Sequence, residues 1–303
     1  MPPWMTVGNE SRFIADHLTR ERQPCRPRLS RSAAPQLATR RASADVDVRH
    51  TLTFEADAAP AGAATISMEM HQSMILLPRE PMMPRRADDR VGYFSITQVN
   101  FGLDELKAAE QTFIRRWRLE PADPAAYARG ELVDPLQPVV YYIDQATPAK
   151  WRPFVIQGVE DWQAAFETAG FSNAIVALEP PTPEEDPDWA AEDARYSVVR
   201  WAASLVRNAM GPSVSDPRTG EIIESDIVWF HNHLRSYRNR LMLETAASNP
   251  AARSLDMPDE LMGETVRQVI AHEIGHALGL PHNVQRAHFE DLAARATAIL
   301  EGS

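Results

Sequence analysis

The sequence predicts a mixed α+β fold in which an antiparallel β region precedes a twisted sheet that packs against one long helix. Three observations support this prediction. Polar and apolar residues alternate along residues 45–120, as they do in half-buried strands. Apolar strands and a helical pattern follow one another between residues 139 and 230. Finally, an apolar stripe at helical spacing near residues 258–280 carries histidines and a glutamate in fixed register.

We expect residues 1–44 to be a disordered or non-native leader. From about residue 20 to 44 the leader is rich in Arg, Pro, Ser and Ala, a composition that buries too little apolar surface to fold. As written, it lacks the apolar core of a secretory signal. The chain has a single cysteine, Cys25, which excludes an intrachain disulfide and a cysteine-based zinc site.

Residues 45–135 are expected to form an antiparallel β domain. The predicted strands are Val46–Phe54, Thr65–Met70, Met74–Leu77, Val91–Ile96 and Phe113–Leu119. Met68, Met70 and Met74 are compatible with a soft-metal site, but their spacing favours ordinary core packing on one face of a strand.

Residues 136–303 are expected to form a second domain that contains the twisted sheet and the long helix. The predicted strands are Val139–Ile143, Ala174–Leu178, Tyr196–Trp201 and Glu221–Phe230, with a helix at Phe154–Phe171. We expect the fourth strand, around Ile222 to Phe230, to lie at an edge of the sheet, where an extended peptide can pair with it.

Two further segments of this domain leave alternatives open. Asp216–Glu221 combines Asp, Pro and Gly, so it is either a hairpin turn or a part of the substrate cleft. The carboxylates of Glu184, Glu185, Asp186 and Asp188 favour a solvated loop over a calcium site, because they lack the spacing of a calcium-binding loop.

The long helix carries the pattern H-E-x-x-H-x-x-G-x-x-H. Positions i and i+4 share one face of a helix, so His272 and His276 can bind one metal ion. Glu273 then lies beside the metal, where it can act as a general base without being a ligand. Gly279 can end the helix with a positive φ, which lets His282 return as a third ligand. Three protein ligands leave a fourth position for water, so the pattern predicts a catalytic Zn²⁺ site.

Other interpretations of the histidines are weaker. A core helix whose histidines bond to backbone carbonyls also fits the apolar stripe, but it does not account for three histidines and a glutamate in register. His231 and His233 end a strand, where two such residues need not share a face. A site that uses Glu290 in place of His282 ranks last, because the spacing from Gly279 to His282 fits the motif.

Composition limits the partners of the chain. A net charge of −11 argues against a nucleic-acid binder, which needs clustered Lys and Arg. No apolar stretch reaches the length of a transmembrane segment. The expected partner is therefore a peptide or protein substrate, and the sequence gives no indication of the oligomeric state.

With these residues in view, the chain resembles the bacterial EcxA-like zinc metalloproteases, which are metzincins with an N-terminal domain of unknown function. Collinear blocks between roughly residues 45 and 283 carry the resemblance. They are Trp151–Pro153, Gly158–Trp162, Pro181–Trp189, Asp193–Ser197, Met210–Pro212, Asp216–Glu221 and His272–Asn283.

The resemblance implies a metzincin catalytic domain with a twisted sheet, hydrolysis of peptide bonds and one bound zinc ion. By motif position it makes His272, His276 and His282 the ligands and Glu273 the general base. It also implies export, to the periplasm or to the outside of the cell.

The two ends of the chain depart from the family pattern. Family members usually carry a Met-turn after the third histidine, whose methionine lies under the metal. Here the last methionine is Met262, upstream of the motif, and residues 286–301 have the pattern of a short amphipathic helix. We therefore expect a chain truncated before the Met-turn. The alternative function is a weak or inactive relative that binds zinc or peptide without efficient cleavage.

Overall fold

The computed structural model of the protein describes residues 4–7, 28–29, 37–41, 45–55, 65–88, 90–187 and 189–282. Cys25, Asp188, Glu290, the helix predicted at 286–301 and all of the predicted leader except three short strands lie outside the described residues. The described part of the chain combines antiparallel sheets with a mixed sheet and helices, which confirms the predicted α+β class.

The chain divides into two compact units. The first comprises residues 1–80 with 193–195, and the second comprises residues 81–192 with 196–303. The domain boundaries predicted from the sequence, at 44/45 and 135/136, stay predictions. Among the described helices, none combines the length and the hydropathy needed to cross a bilayer.

The first unit is built from antiparallel strands. Its described strands are β1 (Trp4–Val7), β2 (Arg28–Leu29), β3 (Leu37–Arg41), β4 (Asp45–Glu55) and β5 (Thr65–Leu76). They form one sheet in the order β1-β5-β4-β2, and β3 also pairs with β4. The strands predicted at 65–70 and 74–77 are one continuous strand, because the polar residues between them also pair with β4. Ile66, Met68 and Met70 are half-buried while Thr65, Ser67 and Glu69 are exposed, as core packing on one face predicts.

The second unit carries the remaining described elements. Its strands are β6 (Ser95–Asn100), β7 (Ala109–Ile114), β8 (Val139–Ile143), β9 (Ile175–Leu178), β10 (Ser197–Ala202), β11 (Ala209–Met210), β12 (Val214–Ser215), β13 (Ile222–Glu224) and β14 (Ile227–Phe230). Its helices are α1 (Pro124–Ala128), α2 (Arg152–Glu160), α3 (Gln163–Thr168), α4 (His233–Thr245) and α5 (Asp259–Ala277), with a 3₁₀ turn at Pro250–Arg253. The strands β6 and β7 form one antiparallel pair, and β12 and β13 form another.

A five-stranded sheet forms the centre of the second unit, in the order β11-β14-β10-β8-β9. The pairs β14–β10, β10–β8 and β8–β9 are parallel, and β11 runs antiparallel to β14. The prediction that the strand around Ile222 to Phe230 lies at the sheet edge is therefore wrong. Ile227–Phe230 pairs on both sides, and Ile222–Glu224 belongs to the β12–β13 pair. In the described sheet the edges are β9 and, beside β14, β11, which at two residues is too short to leave a sequence pattern.

The helix α5 packs against α2 and the sheet through a shared apolar core. Buried residues of this core include Val139, Tyr141, Ile143, Val155, Val159, Val199, Ile227, Trp229, Val266, Ile270 and Ile274. The indole N–H of Trp162 donates to the Ala271 carbonyl at 2.8 Å, and Arg267 forms two bonds to Asp161 at 2.7 and 2.8 Å. The helix predicted at 154–171 is two helices, because Asp161 and Trp162 at the break between them are both directed to α5.

Candidate metal centre

The motif lies on the last two turns of α5. Val266, Ile270 and Ile274 recur every four residues and are fully buried, so this side of the helix is fixed against the core. His272 and His276 lie on a different side and are half-buried. The amphipathic pattern that makes this segment a helix therefore also presents two imidazoles together at the surface of the core.

The helix ends in a left-handed turn at Gly279, where φ is 100°. The Gly279 N–H donates to the His276 carbonyl at 2.9 Å, and the Leu280 N–H donates to the Gly275 carbonyl at 3.0 Å. These two bonds are the Schellman pattern, which requires a residue with positive φ at this position and favours glycine. The turn reverses the chain and brings His282 back to the end of α5.

Three side chains converge at this point. His272, His276 and His282 each offer a ring nitrogen, and these atoms all lie within 4.8 Å of one another. The Nε2 atoms of His276 and His282 are 3.2 Å apart. Two nitrogens bound to one tetrahedral zinc ion at about 2.0–2.1 Å would be separated by about 3.3 Å. The three histidines therefore form a group that can hold a metal ion, and the described residues contain no other such group of His, Cys, Asp or Glu.

The environment favours the neutral, metal-binding form of these rings. The Nδ1 atom of His276 lies 2.9 Å from the Leu280 carbonyl oxygen, so Nδ1 carries the proton and Nε2 keeps its lone pair. Burial, together with the neighbouring His276 and His282, lowers the pKa of His272 to about 4. Burial also lowers the pKa of His276, although the bond to the Leu280 carbonyl opposes this. At neutral pH both rings are unprotonated and available as ligands.

Glu273 lies between the two helix histidines in sequence and is only 7% exposed. Burial raises the pKa of its carboxyl group to about 7. A Cβ atom on Gly211 would come within 2.7 Å of the Glu273 carbonyl oxygen, so the residue that follows β11 lies directly against α5. Burial also raises the pKa of the Tyr237 hydroxyl, and the charge of Glu273 adds to this rise while Arg240 opposes it. Tyr237 and the edge strand thus belong to the surroundings of Glu273.

Residues far from the motif contact the end of α5, and sequence reasoning did not find them. The backbone N–H of Phe94 donates to the Gly279 carbonyl at 2.7 Å, and the Phe94 ring lies 5.8 Å from the ring of His276. The indole N–H of Trp117 donates to the Ala277 carbonyl at 3.0 Å. Trp117 and Ala277 are 160 residues apart in sequence, so no local pattern links them.

The other candidate residues lie elsewhere. His231 accepts a bond from the Trp201 indole at 3.3 Å, and His233 packs its ring against Trp229 and Tyr237. Neither belongs to the metal-binding group.

Among the described residues, neither of the two segments with open alternatives contributes to the metal-binding group. Asp216–Gly220 is the turn between β12 and β13, with the buried Asp216 carboxylate accepting from the Arg218 backbone N–H at 2.8 Å. In the acidic loop, Asp186 accepts from the Tyr196 hydroxyl at 2.8 Å and Glu185 from the Thr182 N–H at 2.8 Å. These described carboxylates therefore serve local structure, as in the loop interpretation.

Comparison with known protein families agrees with this geometry. Residues 254–290 match a family described as Met-zincin, and residues 10–122 match a domain of unknown function (DUF5117). No curated protein and no solved structure matches the chain significantly. The Met-zincin match contains all three histidines and Glu273, and it relates this part of the chain to zinc-dependent metallopeptidases.

Proposed function

We propose that the protein is a zinc-dependent metalloendopeptidase in which His272, His276 and His282 bind the metal and Glu273 is the general base. The observation that carries the proposal is the convergence of three imidazole nitrogens within 4.8 Å beside a buried carboxyl group. The Met-zincin match over the same residues supports it.

The donor set fits zinc in number, type and spacing. Three neutral imidazoles are a common set for catalytic zinc, because they leave one position of the tetrahedron open. The separation of 3.2 Å between the Nε2 atoms of His276 and His282 is close to that expected for two ligands of one ion. The carbonyl of Leu280 orients the His276 ring as an outer partner usually does.

When bound, zinc supplies a Lewis acid that polarises a carbonyl group and acidifies a water molecule. Glu273 accepts a proton from the attacking water and delivers it to the nitrogen of the departing amine. In the metal-free chain burial raises the pKa of this carboxyl group to about 7, and burial of this kind favours the uptake of a proton by a general base. Its burial also limits the access of bulk water to the proton.

The substrate is proposed to bind in extended form along β11. In the described sheet β11 is one of the two edge strands, so its outer backbone groups are directed away from β14. Main-chain bonds to such an edge recognise a peptide with little dependence on its side chains. Gly211 lies against the backbone carbonyl of Glu273, the residue next to His272, so we propose that a peptide on this edge passes the metal-binding group. This assignment replaces the strand around Ile222 to Phe230, which is paired on both sides.

The experiment is a comparison of the parent chain with His272→Ala and Glu273→Gln. We expect one zinc per parent chain by metal analysis, loss of stoichiometric zinc in His272→Ala, and retained zinc without peptide cleavage in Glu273→Gln. Cleavage is measured with an unfolded protein as a general substrate, and the same assay with a chelator is the control. Stoichiometric zinc in the parent without any cleavage would instead support the binding-only relative, and undiminished zinc in His272→Ala would refute the ligand assignment.

A further inference from the structure

The third histidine follows a turn whose own bonds do not fix its orientation relative to the rest of the unit. His282 is exposed, whereas His272 and His276 are half-buried on a helix packed against the core. The Schellman bonds define the shape of the turn, but they connect it only to the last turns of α5. Additional contacts are therefore needed to hold His282 near the other two ligands.

Three residues from a distant part of the sequence supply such contacts. The Phe94 N–H donates to the Gly279 carbonyl at 2.7 Å, and the Trp117 indole donates to the Ala277 carbonyl at 3.0 Å. The last four carbonyl groups of a helix have no partner within the helix, so the Trp117 indole satisfies a group, the Ala277 carbonyl, that would otherwise need water. The Arg115 carbonyl oxygen lies so close to Gly279 that a methyl group there would overlap it.

Backbone hydrogen bonds connect the segments that contain these three residues to each other and to the rest of the unit, and the Arg115 side chain adds a contact with Ser213. The Arg115 N–H donates to the Phe94 carbonyl at 2.7 Å, which ties the two segments together. The Arg115 guanidinium donates to the Ser213 carbonyl at 2.5 Å and to the Ser213 hydroxyl at 2.6 Å. The next residue, Arg116, exchanges backbone bonds with Gly220 and Ile222 at 3.0 and 2.8 Å. The contacts to the helix end thus come from a connected part of the same unit.

We infer that Phe94, Arg115 and Trp117 position His282 for metal binding, and that this is a role of the segment matched by the domain of unknown function. All three residues lie within residues 10–122 and also within the compact unit that contains α5. They contact the backbone at Ala277 and Gly279, next to the turn that precedes His282, and they do not bind the metal themselves. The inference rests on the proposed zinc site.

The chain offers a matched pair of variants to test the inference. Trp117→Phe removes an indole donor from the Ala277 carbonyl at the end of α5. Trp162→Phe removes the same kind of donor from the Ala271 carbonyl, in the body of the same helix. The Ala271 carbonyl lies in the helix interior, where the backbone provides a donor as well. Only Trp117→Phe therefore removes a bond next to the turn that precedes His282.

We expect Trp117→Phe to weaken zinc binding by about tenfold, as loss of an outer partner commonly does, and Trp162→Phe to leave it unchanged. Zinc affinity is measured by competition with a chromogenic chelator. The visible spectrum of the Co²⁺-loaded protein reports ligand number and geometry, and we expect it to change only in Trp117→Phe. Thermal unfolding of the metal-free proteins measures the structural effect of each substitution, which we expect to be similar.

The outcomes separate this inference from the proposed function. If Trp117→Phe has the same zinc affinity and the same Co²⁺ spectrum as the parent, the positioning role is wrong, but the proposed zinc site is not contradicted. An equal loss of affinity in both variants would also overturn it, since the effect would then be a general weakening of α5. A parent chain without stoichiometric zinc would overturn both proposals.

Discussion

The Nε2 atoms of His276 and His282 lie 3.2 Å apart, although one residue is in α5 and the other follows the turn at its end. Gly279 makes this approach possible because its φ of 100° reverses the chain within three residues of His282. Two imidazoles at this distance gain little from each other, since at most one proton can lie between them. A metal ion bound by both nitrogens, as proposed above, would account for their proximity.

Replacement of the third histidine tests this relationship. We expect His282→Ala to reduce zinc affinity by more than the roughly 100-fold that loss of an outer partner produces, because it removes a direct ligand. The measurement is chelator competition. His231→Ala is the control, since His231 is a histidine of the same unit that accepts a bond from Trp201 and lies outside the metal-binding group. Equal zinc affinity in both variants would contradict the assignment of His282.

Local patterns predicted much of the candidate metal centre. The spacing of His272, Glu273 and His276 is a property of one helix, and the Gly279–His282 spacing is a property of one turn, so both can be read along the chain. The strands β8 and β9 were predicted for a similar reason, because each is a continuous apolar run, and β10 was predicted because Val198, Val199 and Trp201 make it mostly apolar.

Features that depend on distant contacts could not be predicted in this way. The two-residue strand β11 exists because β14 supplies its partners, and it displaced the predicted edge. The strand predicted at 113–119 ends at Ile114, because Arg116 leaves β6 and bonds to Gly220 and Ile222 instead. Helix α4 was missed as well, because most of its residues are polar, although Leu234, Tyr237 and Leu241 form a partly buried stripe that packs against the core.

A second prediction concerns the turn that carries His282. Gly279→Ala places a methyl group at φ 100° and against the Arg115 carbonyl, so we expect the turn to shift and zinc affinity to fall by about tenfold or more. The matched control is Gly170→Ala. Gly170 has φ 94°, and its added Cβ would come within 2.7 Å of the Tyr127 ring, outside the metal-binding group.

Both glycine variants are expected to lose stability by about 1–3 kcal/mol, because an alanine with positive φ is strained in either place. Urea unfolding of the metal-free proteins measures this loss. The prediction fails if Gly170→Ala weakens zinc binding as much as Gly279→Ala does, since the effect would then follow from lower stability alone.

The third prediction is a pH dependence that Glu273 imposes on stability. Its pKa is about 7 in the folded chain, against an ordinary value of 4.5. Between these values the folded protein holds a proton that the unfolded chain releases, so the stability of the metal-free protein falls as the pH rises. The stabilisation that comes from the protonated Glu273 carboxyl group is complete below pH 4.5 and is lost above about pH 7.

Glu273→Gln cannot ionise, so it should be more stable than the parent by about 3 kcal/mol at about pH 8 and nearly equal to it at about pH 4.5. Urea unfolding with a chelator at both pH values gives the difference. The lowered pKa of His272 acts in the opposite sense, with stability lost as the pH falls from 6.5 towards about 4, but it is common to both proteins and cancels. A stability difference that did not change with pH would show that burial does not raise the pKa of Glu273.

The last prediction separates the two connections that Arg115 makes. Its backbone carbonyl lies against Gly279, whereas its guanidinium donates to the Ser213 carbonyl and hydroxyl, just beyond β11 and Gly211. Arg115→Met keeps the backbone and most of the apolar stem but removes the donors. We therefore expect β11, the proposed substrate-binding strand, to become more mobile, while the turn at Gly279 that precedes His282 keeps its position. A bond from a charged donor contributes about 1.5–3 kcal/mol, so the KM of a cleaved peptide should rise by about tenfold or more.

Steady-state kinetics and chelator competition on the same preparations measure the two effects, on the KM for the peptide and on zinc affinity. We expect kcat to fall less than KM rises, and zinc affinity to stay within about twofold of the parent value, because no bond to the turn at Gly279 is lost. Ser213→Ala is the graded control, since it removes the hydroxyl acceptor at 2.6 Å and leaves the carbonyl acceptor at 2.5 Å, so its KM should rise less. If Arg115→Met instead lowers zinc affinity and leaves KM unchanged, the guanidinium supports the metal ligands, and the assignment of the Ser213 contact to the substrate edge is wrong.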